Sequence, residues 1–229
     1  MYTSKRPWLK FFKFGAFPLS IFFAVLTLPL LLGSFFTFTN WDGFGLDFEE
    51  FVGLKNYTEA LQDEAYWASL QFTAMYVIVS LILVNLVAFG LALLVTAGLR
   101  SANVFRTFFF IPNLIGGVIL GFIWQFVFNR TLTTVGKNFE IPFLESSWLN
   151  APESAFWALV VVTVWQMSGY MMIIYITGLL SVEKDVLEAA LIDGASELRT
   201  LWNIKMPLMA QAFTISLFLT LRNSFMAYD

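Results

Sequence analysis

The sequence contains neither cysteine nor histidine. The first absence excludes disulfides, thiolate metal sites and a cysteine nucleophile. The second removes the commonest general base and the commonest transition-metal ligand. Charge is also scarce: Asp, Glu, Lys and Arg make up 13% of the 229 residues, where a soluble domain carries about 25%. The net charge of −3 offers nothing to nucleic acid. No Gly-x-x-x-x-Gly-Lys-Ser/Thr is present, so the chain lacks the phosphate-binding loop of an ATPase. If ATP drives it, another polypeptide hydrolyses the ATP. No catalytic constellation stands out, and no enzymatic activity, cofactor or metal is expected.

What is present is apolar. The chain is 59% hydrophobic and holds 27 Phe, more than so few charges could shield from water. The expected fold class is all-α, a polytopic membrane helical bundle. A bilayer core needs about 20 apolar residues in a helix. Phe14–Trp41, Ala65–Leu99 and residues 107–129 contain no charge at all. Five spans are expected, at about 16–38, 70–95, 107–128, 155–180 and 207–227, behind an N-terminal segment 1–15. The first run exceeds the apolar core of about 7–15 residues in a secretory signal peptide and offers no clear cleavage site, so it reads as a retained anchor. Pro112 is expected to bend the third span.

Orientation follows from Lys and Arg near the spans. With the N-terminus in the cytoplasm, the inner segments hold nine: Lys5, Arg6, Lys10, Lys13, Arg100, Arg106, Lys184, Arg199 and Lys205. The outer loops hold three: Lys55, Arg130 and Lys137. The first outer loop is otherwise acidic, with Asp42, Asp47, Glu49, Glu50, Glu59, Asp63 and Glu64. Asn56-Tyr57-Thr58 and Asn129-Arg130-Thr131 match glycosylation sequons and are read as chance matches.

The most charged interruption between long apolar runs is residues 181–206. Val186, Leu187, Ala190 and Leu191 fall at helical spacing on one side. Gly194 is placed to end that helix in the left-handed conformation, and Ser196 to cap the next. Pro207 is expected to open the last apolar run, where its missing N–H costs least.

The wording of this stretch, Glu188-Ala189-Ala190 with Gly194, Ile204 and Pro207 at fixed spacing, resembles the EAA loop of permease subunits in ATP-binding-cassette importers. Met206 stands where Leu is usual, a swap that preserves size and apolarity. Further segments resemble the sugar permeases of the maltose-transporter type: Arg106 to Pro112, Gly121-Phe122-Ile123-Trp124, Trp165 with Gly169, Gly178-Leu179-Leu180, and Arg222-Asn223-Ser224-Phe225 up to Tyr228-Asp229. Two places depart: Phe is more usual before that Asp, and Leu70-Gln71-Phe72-Thr73 lacks a common Asn-Thr pair. The resemblance implies a cytoplasmic helix-turn-helix docking on a separate ATPase. Glu188 would offer its carboxylate, Ala189 and Ala190 would allow close approach, and Gly194 would set the turn beside Asp193. It also implies a second permease subunit, an extracytoplasmic solute-binding protein and a sixth span missing at the C-terminus.

Within the spans, Asn113, Gly117, Gly121 and Gln125 recur every four residues as one stripe, and Gly117-x-x-x-Gly121 is expected to admit a neighbouring backbone. Gln166, Tyr170 and Thr177 lie near one face of the fourth span, with Ser168 and Gly169 beside them. Asn113, Gln125, Gln166, Ser168 and Tyr170 form the candidate substrate path. They suit a neutral hydroxyl-rich solute, though pairing between helices would use the same groups. The spans lack the buried carboxylates or imidazoles that proton-coupled carriers use. A secondary carrier or channel, or a non-transporting truncated scaffold, are the competing readings.

Overall fold

The computed structural model describes residues 7–45, 50–98 and 101–226. Lys5, Arg6, Asp47, Glu49, Arg100, Tyr228 and Asp229 lie outside the described residues. The chain forms two compact units, divided between Leu70 and Gln71.

In the first unit, α1 (Pro7–Phe22) passes through a π-helical turn, Phe23–Thr27, into α2 (Leu28–Phe36). The turn closes with the Leu28 N–H on the Phe23 carbonyl, immediately before Pro29. A widened turn there relieves the clash between a proline ring and the preceding turn. Phe14–Phe36 is long and apolar enough to cross a membrane, and only 6% of its most apolar window is buried within the chain. Beyond it, Thr39 and Phe51 form an isolated antiparallel bridge. A short helix, α3 (Lys55–Gln62), follows. The Asn56 amide donates to the carbonyls of Thr37 and Thr39 at 3.0 and 2.8 Å. That sequon asparagine is therefore a structural strut. The helix α4 (Glu64–Thr96) begins in this unit.

The second unit contains the rest of α4, then α5 (Ala102–Phe110), α6 (Gly117–Phe126), α7 (Leu132–Asn138), α8 (Pro152–Leu180), α9 (Lys184–Ile192), α10 (Glu197–Thr200), α11 (Met206–Leu208) and α12 (Ala210–Phe225). Among the described residues, four helices are long and apolar enough to cross a membrane: Phe14–Phe36, Glu64–Thr96, Gly117–Asn138 and Pro152–Leu180. There are five if Glu197–Leu208 and Ala210–Phe225, bent by 71°, count as one. The fold is an all-α polytopic membrane bundle.

Two expected boundaries are corrected. The third apolar run is not one bent helix over 107–128. It breaks after a 3-10 turn, Ile111–Leu114, and Ile115 and Gly116 are extended at ψ 124° and 142°. Pro112 supplies no N–H for a continuing ladder, and α6 starts afresh at Gly117, running through a second π-helical turn into α7. Likewise Pro207 does not open the last span. It lies in a helix running from Glu197 to Leu208, and the bend falls at Met209. Here too a π-helical turn, Leu201–Lys205, precedes the proline and accommodates its ring.

The central helix is α8. Tyr175, Met171 and Met172 are fully buried with Val84, Ala88 and Ala92 of α4 and with Met209. The rings of Phe89, Tyr175 and Phe213 pack with centroids 4.9 to 5.4 Å apart. Glycines of α8 allow the close approaches. A Cβ on Gly169 would overlap the Phe109 carbonyl of α5, and one on Gly178 would sit 2.6 Å from the Ala212 Cβ. Gly117 and Gly121 have no neighbour within 4 Å of a built Cβ. The expected approach at Gly117-x-x-x-Gly121 is therefore not made within this chain.

Candidate functional site

Two features stand out, a hairpin and a cleft. In the hairpin, α9 ends at a left-handed Gly194, φ +75°. The Ala195 N–H reaches the Ala190 carbonyl at 3.0 Å, and the Gly194 N–H reaches Leu191 at 3.1 Å. This double bond pattern is a Schellman cap, which satisfies two of the orphan carbonyls at the helix end. Ser196 then caps α10, its hydroxyl accepting from the Arg199 N–H at 3.4 Å. Glu188, Ala189 and Asp193 are exposed, whereas Ala190 is buried and Ile204 half-buried. Pro207 is exposed on the helix before the bend. The hairpin also carries large apolar side chains in the open: Leu191 at 74%, Ile192 at 85%, Leu198 at 66% and Trp202 at 60% of full exposure.

The cleft has a volume of about 840 Å³. Its lining comes chiefly from α6 and α8, with Tyr76 of α4 and Asn223 of α12. Asn113, Gln125, Gln166 and Asn223 bring four carboxamides to it. Tyr76 and Thr163 add a hydroxyl pair, hydrogen-bonded at 2.6 Å. Trp124 forms part of the wall, stacked on Phe128 at 5.2 Å and edge-on to Trp165 at 5.4 Å. No Lys, Arg, Asp or Glu lines it among the described residues. A carboxamide both donates and accepts, so such a lining can match hydroxyls in either sense.

Three of the five candidate path residues, Asn113, Gln125 and Gln166, thus meet in one cleft. Asn113 reaches it from the 3-10 turn, so the stripe survives although the helix that was to carry it is broken. Ser168 is buried and lines a second, largely apolar cleft of about 640 Å³ with Phe108, Pro112 and Trp165. Tyr170 lines neither cleft. The Thr177 hydroxyl bonds to its own helix at Ile173. Among the described residues no cluster of carboxylates is placed to hold a metal ion.

Sequence reasoning missed Tyr76 and Thr163, and it also missed a buried hub at Asn85. The Asn85 Oδ1 accepts from the Tyr175 hydroxyl at 2.7 Å and from Ser216 Oγ at 2.6 Å. Its Nδ2 donates to the Leu81 carbonyl at 2.8 Å and to Thr220 Oγ1 at 3.3 Å. All four hydrogen-bonding positions of the carboxamide are used, which ties α4, α8 and α12 together. The available signal was a lone Asn within Ala65–Leu99.

Residues 86–229 match the family described as binding-protein-dependent transport system inner membrane component. The chain belongs to this family. It is 42% identical to a probable starch degradation products transport system permease protein, AmyD, of Thermoanaerobacterium thermosulfurigenes, over 96% of this chain and 77% of that one. It is 29% identical to the multiple sugar-binding transport system permease protein MsmF of Streptococcus mutans, over 93% of this chain and 73% of the relative. Among solved structures, a bacterial ABC transporter involved in import of the acidic polysaccharide alginate superposes with a TM-score of 0.77 at 19% identity, covering 95% of this chain and 75% of that chain. That likeness establishes the fold. The inner membrane component described here is thus a multi-pass permease, and its relatives are transport permeases rather than enzymes. The hairpin and all of the cleft lining except Tyr76 lie within the matched residues.

Proposed function

We propose that this permease is a subunit of an ATP-driven importer for a sugar or related neutral polyol, coupled through its hairpin to a separate ATPase. The observation that carries the coupling is the exposed apolar crest of Leu191, Ile192, Leu198 and Trp202 around a capped, left-handed Gly194. A hairpin that leaves such side chains in water, beside an exposed Glu188, is suited to insert into another protein. The nine-to-three bias of Lys and Arg supports a cytoplasmic hairpin and N-terminus.

Closure of the ATPase around ATP would move the hairpin as a lever. The 71° bend at Met209 delivers that movement to α12, which contributes Asn223 to the cleft. The names of the permeases from Thermoanaerobacterium and Streptococcus point to sugars. The solved importer takes an acidic polysaccharide, whereas no Lys or Arg among the described residues lines the present cleft to balance a carboxylate. Asn113, Gln125 and Gln166 would instead hold hydroxyls. A homologous second permease would complete the path, and a solute-binding protein would deliver the solute, as the periplasmic protein in the alginate complex suggests.

Co-purification tests the coupling. Tagged permease expressed with its neighbouring genes is expected to retain an ATPase subunit. Transport by the permease alone, without ATP, would instead establish a carrier or channel. The path is tested by Gln166→Leu, which removes a carboxamide while keeping bulk. Loss of about 1–3 kcal/mol of polar contact predicts a KM for uptake raised about 5–150-fold, with ATPase binding unchanged. An unaltered KM would remove Gln166 from the path.

A further inference from the structure

The short helix α3 has three faces. Asn56 and Ala60 point toward the chain that leaves the first apolar helix, and the Asn56 amide holds the Thr37 and Thr39 carbonyls. Lys55, Glu59 and Gln62 share a second, polar face, with Lys55 and Glu59 paired at 3.8 Å. The third face carries Leu54, Tyr57 and Leu61, exposed by 64, 44 and 56%.

The level of this helix is pinned at both ends. Asn56, and the Tyr57 hydroxyl bonded to Thr37 Oγ1 at 2.7 Å, tie it to residues just past Phe36, the last of the first membrane-crossing helix. At the other end the Trp67 indole N–H donates to the Leu61 carbonyl at 2.8 Å. Trp67 lies in the first turn of α4, where that helix begins, and is itself half-exposed. Amphipathic aromatic rings at such positions sit at the headgroup level. A helix fastened to the ends of two membrane-crossing helices is held at the bilayer boundary.

We propose that α3 lies in the membrane interface as a strap between the first two spans, with Leu54 and Leu61 against lipid acyl chains. The described charges around it are mostly acidic: Asp42, Glu50, Glu59, Asp63 and Glu64 against Lys55. Apolar burial therefore drives the contact, with no requirement for anionic lipid.

The absence of cysteine makes the test direct. Single variants Leu54→Cys, Leu61→Cys, Glu59→Cys and Gln62→Cys of the full chain are spin-labelled in phosphatidylcholine vesicles. Collision rates are measured with oxygen, which concentrates in lipid, and with a water-soluble nickel chelate. The oxygen-to-nickel ratio is expected to be about tenfold higher at 54 and 61 than at 59 and 62, and unchanged on adding phosphatidylglycerol. Equal ratios on both faces would place α3 in water and overturn the proposal. Labels at 54 and 61 shielded from both reagents would overturn it too, by showing that protein covers this face.

Discussion

Gly169→Val is expected to leave little or no folded permease. The position is buried in α8, and the added Cβ alone would overlap the carbonyl of Phe109, with the Phe110 amide 3.0 Å away. Those are backbone atoms of α5, so no side-chain rotation relieves them. The helix itself must move, which separates α5 from α8 and opens the wall of the apolar cleft. Overpacking a well-filled site costs about 1–3 kcal/mol, and more where backbone must shift. With a β-branched side chain beyond the Cβ, a loss of about 3 kcal/mol or more is expected, enough to abolish recovery of monodisperse protein in detergent. Gly121→Ala is the matched control, because nothing lies within 4 Å of its Cβ. It should unfold within about 1 kcal/mol of wild type, since Ala is the better helix former. Normal yield and melting of Gly169→Val would refute the packing of α5 on α8.

Gly194→Val should separate ATP hydrolysis from uptake. No atom lies within 4 Å of a Cβ at this exposed position, so the bulk of a side chain is not the difficulty. The difficulty is the backbone, whose φ of +75° is disfavoured for a β-branched residue by about 1–2 kcal/mol. The strain is relieved by reshaping the turn, which loses the bonds from Ala195 to Ala190 and from Gly194 to Leu191. The angle between α9 and α10 then changes while the membrane helices keep their contacts. Solute uptake should fall about tenfold or more, since a displacement of about 1 Å in a positioned group has effects of that order. Membrane insertion should be intact, with ATP hydrolysis by the assembled complex persisting. Gly194→Asn should be far milder, because Asn tolerates this conformation. Wild-type uptake by Gly194→Val would defeat the lever.

The hairpin was legible in the sequence because its determinants are local. A glycine after an amphipathic run and a serine two residues on specify a cap and a restart through backbone geometry alone, and both formed. The class of fold was equally plain from charge-free runs. What failed were statements about faces. The helix α4 is apolar all round, and its buried side mixes Tyr76, Val77, Val84 and Val95 with Ser80, Asn85, Ala88 and Ala92, so hydrophobicity alone does not mark it. In a bilayer small and polar residues turn inward while Ile78, Ile82 and Leu86 face out, so a search for an apolar stripe finds nothing. Asn85 escaped notice for that reason. Gly117 and Gly121 drew attention by their spacing, yet the close approaches fell to Gly169 and Gly178, whose neighbours are distant in sequence. Asn113 met Gln125 and Gln166 although the helix that was to carry the stripe is broken, whereas Ser168, two residues past Gln166 on the unbroken α8, faces another cleft because positions two apart point about 200° apart around a helix.

The widened turns at Phe23–Thr27 and Leu201–Lys205 each hold one residue more than a regular α-helical turn. Deleting a single residue inside either would therefore preserve the angular phase of the segments on both sides, whereas the same deletion in α8 would rotate everything beyond it by about 100°. Length variation among homologues in these two helices has somewhere to go.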